Sequence, residues 1–154
     1  MMNYILKDIP VRTLKPRENG LTMVMDKGLS IREVENFLEV AGPYTDIVKL
    51  GWATSYVTPN LQDKLKVYQE AGIPTYFGGT LFEAFVMRNQ FDDYRRVLDK
   101  YGMKYAEVSD GSITIPHEQK CEYIRQLKEQ VTVISEVGSK DAEKILAPYK
   151  WIAL

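Results

Sequence analysis

Short apolar runs that end in a polar cluster recur along the chain. Leu21-Thr22-Met23-Val24-Met25 ends in Asp26-Lys27-Gly28, and Asp46-Ile47-Val48 ends in Lys49, followed by Leu50-Gly51-Trp52. The run from Ile73 to Phe77 ends in Gly78-Gly79-Thr80, and the run from Lys104 to Val108 ends in Ser109-Asp110-Gly111. A last run, from Val131 to Ser135, ends in Glu136-Val137-Gly138-Ser139-Lys140. These runs carry β-branched and aromatic residues and are bounded by glycine, so each reads as a strand. Stretches with helical periodicity lie between them. Ser30, with Glu33 three residues on, makes a capping-box pattern. Ile31, Val34, Phe37 and Leu38 then share one helix face, and Gly42-Pro43 ends that helix. Asn60 opens a second helix with Leu61, Leu65 and Tyr68 on one face and Gly72 as its C-cap. Thr80 is placed to cap a third helix reaching about Met87, and a fourth covers about Phe91 to Tyr101. Pro116 suits the first turn of a fifth that reaches about Glu129. A last helix is expected near Asp141 to Tyr149.

Alternating strands and helices predict an α/β fold with a parallel sheet. The strand ends recur about every 25–30 residues, the βα repeat of a TIM-type (β/α)8 barrel. Eight such units need roughly 250 residues. The 154 residues here supply about the first five. An open doubly wound sheet is the competing arrangement. Against it, no Gly-x-Gly-x-x-Gly follows the first strand, and the polar strand ends are spread over all the strands rather than gathered at one switch point. Residues 1–20, with two prolines and four basic residues, read as an extended arm, and residues 21–154 as one partial barrel domain. With Leu154 as the end, the outer strands keep unpaired edges, so pairing with another copy is expected. Arg12 and Arg17 in the arm are open to an interface role or a plain surface role.

Composition narrows the class. Hydrophobic residues make up 45% of the chain, enough for one proper core. The net charge is −1 with both signs interspersed, so no nucleic-acid partner is expected. Cys121 is the only cysteine, which excludes an internal disulfide and a thiolate metal cluster. No apolar run approaches the roughly 20 residues of a membrane span, and the N-terminus lacks the apolar core of a signal peptide. A soluble, cytoplasmic protein is the expectation.

The polar strand ends are the candidate chemistry. Lys49 follows Ile47 and Val48 in a strand, where a lysine is costly without a partner. Glu107 alternates with Tyr105, so one of the two faces inward. Asp26 either caps its loop or joins a site, and Lys27 is either solvated or a ligand contact. Gly78-Gly79-Thr80 is a tight turn with an N-cap or an anion site at a helix N-terminus. Ser139 offers an amide and a hydroxyl beside Gly138, or caps the next helix. Glu83 is open to pairing with a surface base or to a functional role, and Asp110 to a turn role before Gly111 or to a functional one. His117 reads as exposed, and Cys121 as a helix residue with no nearby base.

Five segments, in order, resemble the phosphosulfolactate synthase family: MDKGL (25–29), DIVKLGWATS (46–55), FGGTLFEAF (77–85), AEVSDGS (106–112) and SEVGSK (135–140). The segment VRTLKPRENG resembles bacterial members. Any one motif is weak; the ordered set is specific. The resemblance implies a (β/α)8 barrel that catalyses magnesium-dependent addition of sulfite to phosphoenolpyruvate. The product is phosphosulfolactate, which begins coenzyme M synthesis in methanogens. It also implies that Lys140, the lysine after Glu-Val-Gly, donates the proton.

That reaction builds charge on the substrate carboxylate and brings two anions together, so it needs a divalent cation, lysines and an acid. Lys49 joins Lys140 as the catalytic pair. Glu107, Glu136 and Asp26 are the expected Mg2+ ligands, because magnesium takes carboxylate oxygens. Gly78, Gly79, Ser139 and Lys27 are the expected anion contacts. Two departures stand out. Ala53 replaces the family's usual glycine after the tryptophan. The family's later strands, with a Gly-Arg-Glu-Ser-Gly motif, are absent, so the resemblance covers about its first 60%. A non-catalytic relative acting through protein contacts, as in a plant heat-stress-associated protein, remains an alternative. So does a barrel lyase using Lys49 or Lys140 as a Schiff base.

Overall fold

A computed structural model of the chain describes residues 4–140. Five strands form one parallel sheet in sequence order: β1 (Met23–Asp26), β2 (Ile47–Leu50), β3 (Thr75–Phe77), β4 (Tyr105–Val108) and β5 (Thr132–Ser135). The helices are α1 (Ile31–Ala41), α2 (Leu61–Glu70), α3 (Gly79–Val86), α4 (Phe91–Lys100) and α5 (His117–Leu127). Each strand pairs with the next in the sequence, and right-handed crossovers of that kind leave every helix on one face of the sheet. The predicted helix at 141–149 lies outside the described residues. Among the described residues no helix is long and apolar enough to cross a membrane.

Local signals account for most boundaries. Ser30 caps α1 and Glu33 closes the capping box. Leu61, Leu65 and Tyr68 are buried on one face of α2 as expected. Gly72 follows the C-cap Ala71 at φ +69°, a left-handed turn that glycine adopts without a Cβ penalty. The cap of α3 differs from expectation. Gly78 is the N-cap and Thr80 lies inside the first turn, because the chain enters the helix two residues earlier than a threonine cap would place it.

The core lies between sheet and helices. Leu50, Phe77, Ala106 and Val108 from the strands pack with Leu61, Phe82, Tyr94, Leu98 and Leu127 from the helices. A smaller cluster joins Val34, Val48, Tyr68 and Ile73. The described part of the arm, residues 4–20, carries neither helix nor strand, and it is pinned to the N-terminal end of the sheet. Arg17 and Arg12 both pair with Asp46, which also accepts the amide of Thr22 at 2.8 Å, while Lys15 donates to the Gly42 carbonyl at 3.0 Å. These arginines therefore anchor the chain's own arm, away from the C-terminal strand ends.

Candidate active site at the C-terminal strand ends

Strand register decides which polar residues meet. In a parallel sheet, paired residues point to the same face and successive residues alternate. Met25 pairs with Lys49 and Lys49 with Tyr76, while Asp26 pairs with Leu50 and Leu50 with Phe77. Lys49 thus lies on the face away from the helices, and Asp26 lies on the helix face among core residues.

On the open face the charged groups converge. Lys49 Nζ is 2.7 Å from Glu107 Oε1 and 3.8 Å from Glu136 Oε2. Glu107 also accepts the Gly79 amide at 2.9 Å. Burial raises the Glu107 pKa, but Lys49, Glu136 and the Gly79 amide outweigh it and hold the carboxyl below its ordinary value. Glu136 moves the other way. Burial and the adjoining Glu107 carboxylate push it up, and Lys49 and Lys140 offset this only in part. The two carboxyls therefore act as a coupled pair whose affinities for protons are driven apart, Glu107 downward and Glu136 upward. Tyr76 is buried beside them, and burial and Glu107 raise its hydroxyl.

Lys140 completes the group from the β5 end. Its Nζ donates to Ser112 Oγ at 3.1 Å and its amide to the Gly111 carbonyl at 2.9 Å. Lys120 was not singled out by sequence, yet its Nζ donates to both Asp110 Oδ1 and the Glu136 carbonyl at 2.7 Å. That ammonium ties the loop after β4 to the end of β5. The only sequence signal for it was a lysine on an otherwise mixed helix face, which is no signal of burial. Asp110 is thus an ion-pair partner rather than only a turn residue.

Several expected residues sit elsewhere or are otherwise engaged. Asp26 does not join Glu107 and Glu136. Its Oδ1 accepts the amides of Gly28 and Leu29, both at 2.8 Å, and its Oδ2 meets Tyr68 Oη at 2.9 Å and Lys64 Nζ at 2.7 Å. Among the described residues no three His, Cys, Asp or Glu side chains gather as a metal-binding group. Gly78 and Gly79 are not open amide donors. Gly78 N–H donates to the Leu50 carbonyl at 3.0 Å, and Gly79 N–H serves Glu107, so a protein carboxylate already occupies the N-terminus of α3.

These glycines are required for a different reason, close approach. A Cβ on Gly78 would come within 2.9 Å of Lys49 Cε, and one on Gly79 within 2.3 Å of Ser109 Cβ. Gly79→Ala is accordingly expected to destabilise the protein by about 3 kcal/mol, the upper end of overpacking costs. Urea unfolding measures this, and an unchanged midpoint would contradict the packing argument.

Lys27 stacks over the exposed Trp52 ring, 4.7 Å from its centroid. Trp52 and Ala53 both adopt left-handed backbone, with φ of +51° and +56°. A glycine at residue 53 would take that conformation without strain. His117 lies one turn from Cys121, with Nε2 3.6 Å from Sγ, so the thiol does have a basic neighbour. Lys49, one of the two lysines open to Schiff-base chemistry, is ion-paired to Glu107.

Comparison with known proteins agrees with the motifs. The family model described as (2R)-phospho-3-sulfolactate synthase (ComA) matches residues 10–154. The phosphosulfolactate synthase of Bacillus subtilis (strain 168) is 38% identical over 142 residues, covering 92% of this chain and 56% of that protein. The one from Methanocaldococcus jannaschii is 40% identical over 130 residues, covering 82% of this chain and 52% of that protein. The one from Methanothermobacter thermautotrophicus is 35% identical over 138 residues, covering 88% of this chain and 54% of that protein. The chain thus spans about half the length of the curated relatives it matches. With motifs, sheet order and sequence identity in agreement, the chain belongs to the phosphosulfolactate synthase family.

Proposed function

We propose that the five βα units are the opening part of a TIM-type barrel whose activity is magnesium-dependent addition of sulfite to phosphoenolpyruvate. The observation that carries the reading is the cluster of Lys49, Glu107, Glu136 and Lys140 at the C-terminal strand ends, where barrel chemistry takes place. In the reaction, the sulfite sulfur lone pair forms a bond to C3 of the enol phosphate. The C2–C3 π electrons move onto C2 and its carboxylate, and a proton then arrives at C2. Lys140 is the assigned proton donor, and the resulting amine recovers its proton from solvent. Lys49 supplies fixed positive charge beside the acids, which favours an approaching anion. Ser139 and Lys27 are further anion contacts in this reading. Among the described residues β1 and β5 each pair along one edge only, so both edges are open to the further strands of such a barrel.

The donor set suits magnesium. Glu107 and Glu136 lie close enough to share a proton, and magnesium commonly takes one or two carboxylates and completes its shell with water and substrate oxygens. Asp26, saturated by four partners, is outside that set. A bound divalent cation would supply charge neutralisation for the developing aci-carboxylate.

A cation at this site competes with the proton for Glu136, whose carboxyl is pushed above its ordinary value. Below the raised Glu136 pKa the proton competes, so Mn2+ affinity is expected to increase as pH rises above the ordinary carboxylate range and to level off once Glu136 ionises without metal. Titration by electron paramagnetic resonance measures this; affinity that is flat or falling with pH contradicts the two-carboxylate site. The function itself is tested by incubating the product of the whole open reading frame with phosphoenolpyruvate, sulfite and Mg2+. Phosphosulfolactate detected by mass spectrometry, and lost with chelator, is the expected result. No adduct from folded protein would favour the non-catalytic reading.

A further inference from the structure

Glu83 is a buried carboxylate on α3 that touches none of the charged side chains of the proposed site. It is 2% exposed, and a carboxylate is kept inside only at a cost. Its Oε1 accepts Ser109 Oγ at 2.6 Å and the Ser112 amide at 3.3 Å. Ser109 Oγ in turn accepts the Gly111 amide at 3.2 Å. Its Oε2 has no hydrogen-bond partner among the described residues. All the side-chain hydrogen bonding of Glu83 among the described residues is therefore directed at the loop from Ser109 to Ser112. That same loop holds Lys140 twice, through the Gly111 carbonyl and through Ser112 Oγ. Gly111 packs against the Lys140 side chain, with a Cβ position 3.4 Å from Lys140 Cε.

We propose that Glu83 is a positioning residue that sets Lys140 by clamping this loop. The proposal rests on the reading of Lys140 as proton donor for its functional meaning, but not for its geometry. Glu83 is too enclosed to meet substrate, and its contacts end on the loop. A carboxylate suits the task better than an amide because it accepts the Ser109 hydroxyl and the Ser112 amide as charge-assisted hydrogen bonds. Two short steps then connect α3 to Lys140: carboxylate to loop, and loop to lysine.

Site-resolved amide hydrogen exchange by NMR tests this without needing turnover. In Glu83→Gln the Lys140 amide, which has no contact with Glu83, is expected to exchange about 10-fold faster, the effect of weakening one or two hydrogen bonds that hold the loop. The Glu136 amide, bonded to the Val108 carbonyl, and the Thr132 amide, bonded to the Lys104 carbonyl, should keep their rates. An unchanged Lys140 amide overturns the proposal. Equal acceleration at all three amides overturns it too, because that is general loss of stability. Should Glu83→Gln fail to fold, Ser109→Ala removes a single hydroxyl of the clamp and is read by the same three amides. If the Lys140 amide responds alone while Lys140→Ala keeps full sulfite addition, the positioning stands and the proton-donor reading falls.

Discussion

Lys140→Ala is expected to lower the rate of sulfite addition to phosphoenolpyruvate by at least about 10²-fold, the usual worth of a general acid. The substitution removes the cation that lies near Glu136 and donates to Ser112, and it takes away the proposed source of the C2 proton. Substrate binding should suffer less than kcat, because Lys49 remains beside Glu107 and Glu136. Lys66→Ala is a suitable control, since Lys66 makes an exposed pair with Glu70 on α2, away from the strand ends. The measurement is product formation by the whole reading frame under saturating Mg2+. Full activity in Lys140→Ala would remove the lysine from the mechanism.

Asp26→Asn is expected to destabilise the fold by about 3–5 kcal/mol, the cost of leaving one member of a buried ion pair alone. Asp26 and Lys64 are each 1% exposed and 2.7 Å apart, so the ammonium loses its counter-charge where water cannot replace it. Asparagine keeps the size and one acceptor for the Gly28 and Leu29 amides, so the loss falls on the oxygen that accepts from Tyr68 and pairs with Lys64. Urea unfolding measures the loss. Adding Lys64→Met should recover much of it, because the stranded cation is then gone. If the single variant is as stable as the parent, the ion pair carries no structural weight. An Asp26 that bound metal instead would show unchanged stability and weakened Mn2+ binding.

Asp26 and Lys49 mark where the sequence could be read and where it could not. Asp26 and Lys49 both end an apolar strand, and both follow residues suited to burial. The pairing of Asp26 with Leu50 and of Lys49 with Tyr76 sends them to opposite faces. A shift of one residue in register would exchange their roles, and nothing within either strand sets that register. The amides of Gly78 and Gly79 illustrate a second limit. A glycine pair before a helix looks like an anion cradle, but Leu50 and Glu107, distant in sequence, had already taken both donors. Glu83 and Lys120 are a third case, because burial of a charged residue on a helix depends on what packs over it.

What the sequence by itself determined is local and periodic. The alternation of strand and helix, the capping box at Ser30, the apolar face of α2 and the placement of acids and lysines at strand ends all follow from neighbours a few residues apart. The ordered motifs were enough to indicate the family. What only the tertiary structure decided is partnership: Lys49 with Glu107 and Glu136, Asp26 with Lys64, and Glu83 with the loop that holds Lys140. The physical reason is that helical and strand periodicities act over a few residues, whereas an ion pair such as that of Lys49 and Glu107 joins positions 58 apart in the chain and forms only when sheet register brings them together.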